Sequence, residues 1–426
     1  MNRSPSDSVH PIEPVSAPPR DIYIACPWTP KGGGMFKVAD YLIQAQSANT
    51  DAAHARLRPL DTRGGGHPAA SLPVLALALA SLVRGRLGGR LAGVHVNMAE
   101  RLSLVRKSIV IVACRLLGIP VVLHLHAAQL HHFYRSLPSP LRSLTRWVFS
   151  LPASCLVLGT TARRFVVEEL GVPPQRVEIV INGVPEPLPA ARSRAVDGTE
   201  AHPLRLLFVG NLSQRKGVSD LLAALAQPGF DGPDFELVLA GGGDIAHYRA
   251  QAEALGVAAR VSFAGWCEQA EVARLMSRSD LLVLPSYDEG LPLVILEALA
   301  HGVPVLCTPV GEIPQVFTDG LDACFVTPGD LPGIAAALQR LMADAPLRHR
   351  LGRQGRALYE ARFSLARFFD SIAAVHQRCF GVSGQAGRGA GPLETADPVP
   401  EGGSSGRGGS GDPAPRPAWP DTPKQR

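Results

Sequence analysis

The sequence predicts an α/β protein made of two doubly wound, helix-covered parallel sheets that face one another across a cleft. Three observations lead to that class. Strand-like and helix-like segments alternate from about residue 21 to residue 380, the pattern of parallel sheets with crossover helices. At 426 residues the chain is longer than one hydrophobic core usually serves. The alternation also restarts after a Pro/Ala/polar stretch at 186–203, which reads as a linker.

Each element follows from its residues. DIYIAC (21–26) reads as a buried strand, and Lys31-Gly32-Gly33-Gly34 as a loop opening a helix from about Met35 to Ser47. Further strands in this half are GVHVNM (93–98), PVVLHL (120–125), SCLVLG (154–159) and VEIVING (177–183). The second half opens on LRLLFVG (204–210). It continues with FELVLAG (235–241), VSFAG (261–265), LLVLPS (281–286), PVLCT (304–308) and ACFVT (323–327). The expected organisation is a first domain over 21–195, a second over 204–365 and a closing helix over 366–380. The polar, Pro-rich 1–20 and the Gly/Pro/Ser-rich 381–426 cannot bury a core and are expected to be disordered.

Composition narrows the class. Hydrophobic residues make up 46% and charged residues 19%, which is globular. The N-terminus has no signal-peptide pattern. No apolar run reaches about 18 residues, so no spanning helix is expected. The seven cysteines form no CxxC pair and fall mostly in apolar stretches. They read as structural thiols of a reducing, cytoplasmic setting. Residues 21–195 carry 20 Lys+Arg against 9 Asp+Glu, whereas 196–380 carry 15 against 21. A basic first half beside an acidic second half suggests that the first half meets an anionic partner. Nucleic acid is not expected, because neither aromatic interleaving nor a recognition motif is present.

The most informative stretch is Tyr287–Val305. Glu289 and Glu297 stand with seven residues between them across a loop-to-helix junction that follows an apolar strand. Gly290 allows close backbone approach, Pro292 suits a first helical turn, and amides near Gly290 and Leu291 can hold a phosphate. Two carboxylates there can accept hydroxyl protons from a sugar and a ribose. A lone Glu297 on an apolar helix is costly unless something satisfies it. Gly210-Asn211-Leu212-Ser213-Gln214-Arg215-Lys216-Gly217 forms a second constellation, a cationic turn opening a helix, suited to a pyrophosphate. His124 and His126 share one strand face, with His131 and His132 nearby. No acid or cysteine completes a ligand set around them in sequence, so no metal is expected. Gly33 and Gly34 follow the first strand and would face the cleft. Gly265 and Trp266, at the end of VSFAG, could read and flank a base, and Gly241–Gly243 suggest close packing. No P-loop and no GxGxxG after the first strand are present. The combination points to a nucleotide-sugar user.

These motifs resemble the family 4 retaining glycosyltransferases. The resemblance rests on the E-x7-E element, the GNLSQRKG turn and the spacing from GW to LLVLPSYDEG. It covers roughly 20–380, is strongest over 204–320 and weakest over 50–110. It implies a GT-B fold of two Rossmann-like domains, with the donor nucleotide sugar on the second. By resemblance, Glu297 holds the ribose, Glu289 contacts the transferred sugar, and Lys216 with an arginine neutralises the diphosphate. His126 contacts the sugar from the first domain, and the 32–34 loop lies under phosphate and acceptor. No cofactor or metal is implied, consistent with the absence of any Asp-Xaa-Asp. The chain departs from the family in Gly210-Asn211, where Gly-Arg is usual, and in HLHAAQ; Arg215 can supply the missing guanidinium. The expected reaction is sugar transfer from a UDP- or GDP-linked donor to a glycan or polyprenyl-diphosphate-linked acceptor. The expected location is the inner face of the cytoplasmic membrane, reached through the apolar-basic segments 71–91, 101–118 and 134–152. The competing readings are a nucleotide-sugar epimerase of the same fold and a non-catalytic donor-binding subunit.

Overall fold

The computed structural model describes residues 20–29, 33–48, 55–66, 71–188, 203–230 and 233–382. The disorder expected at 1–20 and 381–426 lies outside the described residues, apart from Arg20, Gly381 and Val382, as does the linker between 188 and 203.

The first half runs β1 (Arg20–Cys26), α1 (Gly33–Ala48), β2 (Ala55–Asp61), α2 (Ser71–Leu87), β3 (Leu91–Met98) and α3 (Leu102–Leu116). It continues through β4 (Val121–Leu125), α4 (Leu130–Ser136), α5 (Ser139–Ser150), β5 (Ser154–Val157), α6 (Thr160–Glu168) and β6 (Val177–Ile179). Its six strands pair in parallel in the order β2-β1-β3-β4-β5-β6. The second half runs β7 (Leu204–Val209), α7 (Val218–Leu225), β8 (Phe235–Ala240), α8 (Ile245–Ala254), β9 (Val261–Gly265) and α9 (Gln269–Ser277). Then follow β10 (Leu281–Leu284), α10 (Leu293–Ala300), β11 (Val305–Cys307), α11 (Ile313–Val316), β12 (Cys324–Phe325), α12 (Leu331–Ala343) and α13 (Ala345–Leu358). These strands also pair in parallel, in the order β12-β11-β10-β7-β8-β9. α14 (Leu365–Phe380) is the last element among the described residues. The two sheets are the doubly wound architecture expected from the alternation.

Both sheets reverse their winding beside their first strand, next to β1 and next to β7. In open α/β sheets a ligand crevice opens beyond the strand ends at such a switch point. In the second sheet this places the 210–217 turn beside the loop that follows β10.

The strand β2 was missed in the sequence. ARLRPLD carries two arginines and a proline, and among its residues Leu60 alone is buried. As an edge strand it pairs on one side, so it needs no apolar run. The central strands β3, β4 and β5 are buried throughout and read as continuous apolar runs.

α14 returns to the first sheet. A wide helical turn at Tyr359–Phe363 precedes it, and the backbone of Val184 is stitched there: Val184 N–H donates to Phe363 O (3.0 Å) and Leu365 N–H to Val184 O (3.0 Å). Gly93 leaves room for the Phe380 ring, which a Cβ would approach to 2.3 Å. One core cluster runs from the Ile22/Ile24 face of β1 through α1 and α14 into the second sheet. The other fills the opposite face of the first sheet beneath α2, α3 and α5. All seven cysteines are free thiols.

Candidate functional site

The site is assembled where β7 and β10 end. Gly217 adopts φ 70°, a conformation that favours glycine, and its Cα lies against Pro285, whose carbonyl oxygen a Cβ would meet at 2.0 Å. The 210–217 turn is thereby pressed onto the end of β10. Tyr287 N–H donates to Arg215 O (2.8 Å), and Arg215 Nη1 donates to Asp288 O (2.5 Å). Arg215 therefore fastens the two loops with one arm of its guanidinium.

Lys216 Nζ contacts Glu289 Oε1 at 2.5 Å, and Ser286 Oγ donates to the same oxygen at 2.7 Å. Glu289 is nearly enclosed, with 6% of its surface exposed. A buried carboxylate needs such partners, and the ammonium keeps further N–H donors for a second anion. Gly311, at φ 62°, seats the loop from below, since a Cβ there would fall 1.9 Å from Glu289 O. Gly290 faces the first sheet, with Ala128 and Leu158 about van der Waals distance away (3.9 Å from an added Cβ). Leu291 is buried and Pro292 caps α10.

Glu297 follows in the second turn of α10. Its Oε1 accepts from Lys37 Nζ (3.0 Å) and from Tyr41 OH (3.2 Å), both on α1 of the first half. Its Oε2 is buried and has no hydrogen-bond partner among the described residues. Gly34, one turn earlier on the same face of α1, lies against Leu293; a Cβ would meet Leu293 Cδ1 at 3.6 Å. Gly33 takes φ 69° and opens the helix.

His126 stands just past β4, its Nε2 2.7 Å from Asn97 Oδ1. Behind it runs a line of rings: His124 lies 4.1 Å from His126 by centroid, His95 Nε2 is 3.3 Å from His124 Nδ1, and His376 of α14 is 2.9 Å from His95 Nδ1. Burial pushes all four down, His95 and His126 to about 3, and neighbouring histidines add to the effect on His124, His126 and His376. They are neutral near pH 7. No group of three His, Cys, Asp or Glu able to hold a metal occurs among the described residues.

Gly265 takes φ 70° at the end of β9, and its carbonyl accepts from Gly241 N–H (2.7 Å). That oxygen is committed to the protein. Trp266 beside it is 45% exposed, an aromatic face open to a planar ligand. Gly241 and Gly243 serve close packing: Cβ atoms there would lie 1.8 Å from Gly210 O and 2.3 Å from Leu212 O.

The structure thus brings Arg215, Lys216, Glu289, Gly290 and Leu291 into one wall and sets Gly34 against α10, while an added Cβ at Gly33 would meet nothing within 4 Å. His126 stands at the end of β4, in the first sheet, and Gly265 and Trp266 lie two strands from β7. Sequence reasoning missed Lys37, Tyr41, Ser286 and Asn97. Lys37 and Tyr41 had a signal in their spacing from Gly34, which puts all three on one helix face.

Two family models match consecutive parts of the chain: "Glycosyltransferase Family 4" over residues 43–186 and "Glycosyl transferases group 1" over 191–358. The chain is a family 4, group 1 glycosyltransferase. This agrees with the resemblance carried by the E-x7-E element. Alpha-D-kanosaminyltransferase of Streptomyces kanamyceticus is 27% identical over 280 residues, covering 62% of this chain and 72% of that protein. The lipopolysaccharide core biosynthesis glycosyltransferase LpsE of Rhizobium meliloti is 31% identical over 229 residues, covering 53% of this chain and 65% of LpsE. The crystal structure of Anabaena HepE in complex with UDP and glucose superposes with a TM-score of 0.66 at 18% identity, covering 84% of this chain and 100% of that one. At that identity the likeness shows the shared GT-B fold.

Proposed function

We propose that this glycosyltransferase moves a sugar from a UDP- or GDP-linked donor to a hydroxyl of a glycan acceptor, retaining the anomeric configuration and using no metal. The observation that carries the reading is the meeting of Arg215, Lys216, Ser286 and Glu289 at the β7/β10 crevice. Two cations at a turn that opens a helix suit a departing diphosphate. In this reading the bond from the anomeric carbon to the diphosphate oxygen breaks while the acceptor oxygen bonds to the same face. The acceptor's proton passes to the departing phosphate oxygen. Lys216 and the free arm of Arg215 stabilise the growing negative charge. Glu289 anchors Lys216 and accepts from a sugar hydroxyl, His126 contacts the sugar from the other side, and Glu297 takes the ribose. The HepE complex makes UDP the first donor base to try.

The acceptor is proposed to be lipid-linked, in the synthesis of an exopolysaccharide or another envelope glycan. α2, α3 and α5 carry seven Lys and Arg and no acid. They expose Leu72, Leu77, Leu87, Leu102, Leu116 and Trp147. An apolar face framed by one sign of charge suits an anionic membrane surface, here proposed as the cytoplasmic one. No helix among the described residues is long and apolar enough to cross a membrane.

The test is nucleotide release from UDP- and GDP-sugars given a polyprenyl-diphosphate-linked glycan, in the presence of EDTA, with the product's anomeric configuration read by NMR. Retention and indifference to EDTA are expected. Inversion, or loss of turnover with EDTA, would overturn the mechanism. Sedimentation with vesicles containing anionic phospholipid, strong at low salt and weakened at high salt, tests the membrane reading; no sedimentation at low salt refutes it.

A further inference from the structure

The α1–α10 contact has a feature that packing alone does not require. Tyr41 is fully buried, with 1% of its surface exposed, and its hydroxyl donates to Glu297 Oε1. Lys37, one turn before it, places its ammonium on the same oxygen at 3.0 Å. Two donors from the first half thus fix one oxygen of a carboxylate that belongs to the second half. The other oxygen, Oε2, is buried without a donor among the described residues. An unpaired buried carboxylate oxygen costs free energy unless a ligand hydroxyl completes it. Gly34, with no side chain, lets α1 approach Leu293 closely enough for Lys37 and Tyr41 to reach across. Burial and the nearby Glu297 raise the Tyr41 phenol well above its usual range, so it remains a donor.

We propose that Lys37 and Tyr41 are positioning residues that hold Glu297 with Oε2 turned towards the ribose hydroxyls of the donor nucleotide. Nucleotide affinity then depends on two side chains that touch Glu297 rather than the nucleotide, and the donor binds best when the two halves are together. This rests on the reading of Glu297 as the ribose ligand.

The test compares UDP and GDP with their 2′,3′-dideoxy analogues by isothermal titration, on the full chain and on Lys37→Met, Tyr41→Phe and Glu297→Gln. A hydrogen bond to a charged group contributes enough for roughly a tenfold or larger preference for the ribose form. Lys37→Met is expected to remove most of that preference by weakening the ribose form alone. Tyr41→Phe acts in the same direction, and Lys37→Arg restores part of the preference. If Lys37→Met weakens both nucleotides equally, or leaves the preference intact while Glu297→Gln removes it, α1 merely packs and the proposal is overturned. If the unsubstituted protein does not distinguish the ribose form, or Glu297→Gln keeps the distinction, the ribose reading itself fails.

Discussion

Glu312 lies in the loop after β11 yet ends on α6, in the other half of the molecule. Its carboxylate accepts from Ala162 N–H at 2.7 Å and from Thr161 N–H at 3.2 Å, and the residue is 3% exposed. Those amides are two of the four that a helix N-terminus leaves without partners. A hydrogen bond to a charged acceptor contributes about 1.5–3 kcal/mol, and an anion also favours the helix N-terminus. Glu312→Ala therefore takes the charged acceptor from two part-buried donors and should cost about 2–4 kcal/mol. Gly159 gives an independent handle. Its φ of −178° suits any residue, but a Cβ there would lie 2.2 Å from Glu312 Oε2 and 2.5 Å from its Cδ. Gly159→Ala should expel the carboxylate and mimic Glu312→Ala. Urea denaturation of the two single variants and the double variant reads this directly. The expected result is a double variant little worse than either single one, a coupling of about 2 kcal/mol or more between neighbours sharing one contact. A Glu312→Ala variant within about 0.5 kcal/mol of the parent, or simple additivity with Gly159→Ala, would refute the cap.

Other consequences can be checked together. Lys216→Met should lower kcat about 10²–10³-fold, the usual effect of losing one preorganised charge at a leaving group; near-parental turnover would remove Lys216 from catalysis. Gly311→Ala forces a Cβ to 1.9 Å from Glu289 O at φ 62°. It should abolish nucleotide binding while the far-ultraviolet CD spectrum stays that of an α/β protein; retained binding would show that the loop is not seated on Gly311. His95, His124 and His376 are fully buried with depressed pKa values. The unfolded chain takes up their protons below about pH 6.5 while the folded chain resists down to about 3 for His95. Their contribution is present above pH 6.5 and is lost as the pH falls. The slope rises towards about 1.4 kcal/mol per pH unit for each as the unfolded histidines become charged, which gives about 3 kcal/mol for the three between pH 6.5 and 5.5. Urea midpoints that do not move over that interval would contradict the neutral-histidine account.

The sequence shows most clearly what depends on short-range chemistry. The apolar runs of β3, β4, β7 and β10 mark central parallel strands because both faces are covered. The 210–217 turn and the 289–297 junction are legible because glycine, proline and charge are confined to strand-to-helix turns, where backbone geometry demands them. Contacts between distant segments are not legible in this way. Nothing local to Glu297 says that Lys37, 260 positions earlier, completes it. Nothing local to Glu312 says that it caps α6. Ser286 looks like a strand-end residue until the fold places it on the Glu289 carboxylate. β2 escapes because an edge strand needs no continuous apolar face, and the pairing of His95 with His376 depends on where α14 returns.

The central claim is a donor site for a nucleoside diphosphate at the β7/β10 crevice, read by Glu297. The most direct measurement is isothermal titration of the protein and of Glu297→Ala with UDP, GDP and ADP and their common sugar conjugates. Saturable binding of one base series, lost in Glu297→Ala, is the predicted result and names the donor. Absence of binding by every nucleotide, or equal binding by Glu297→Ala, would contradict it.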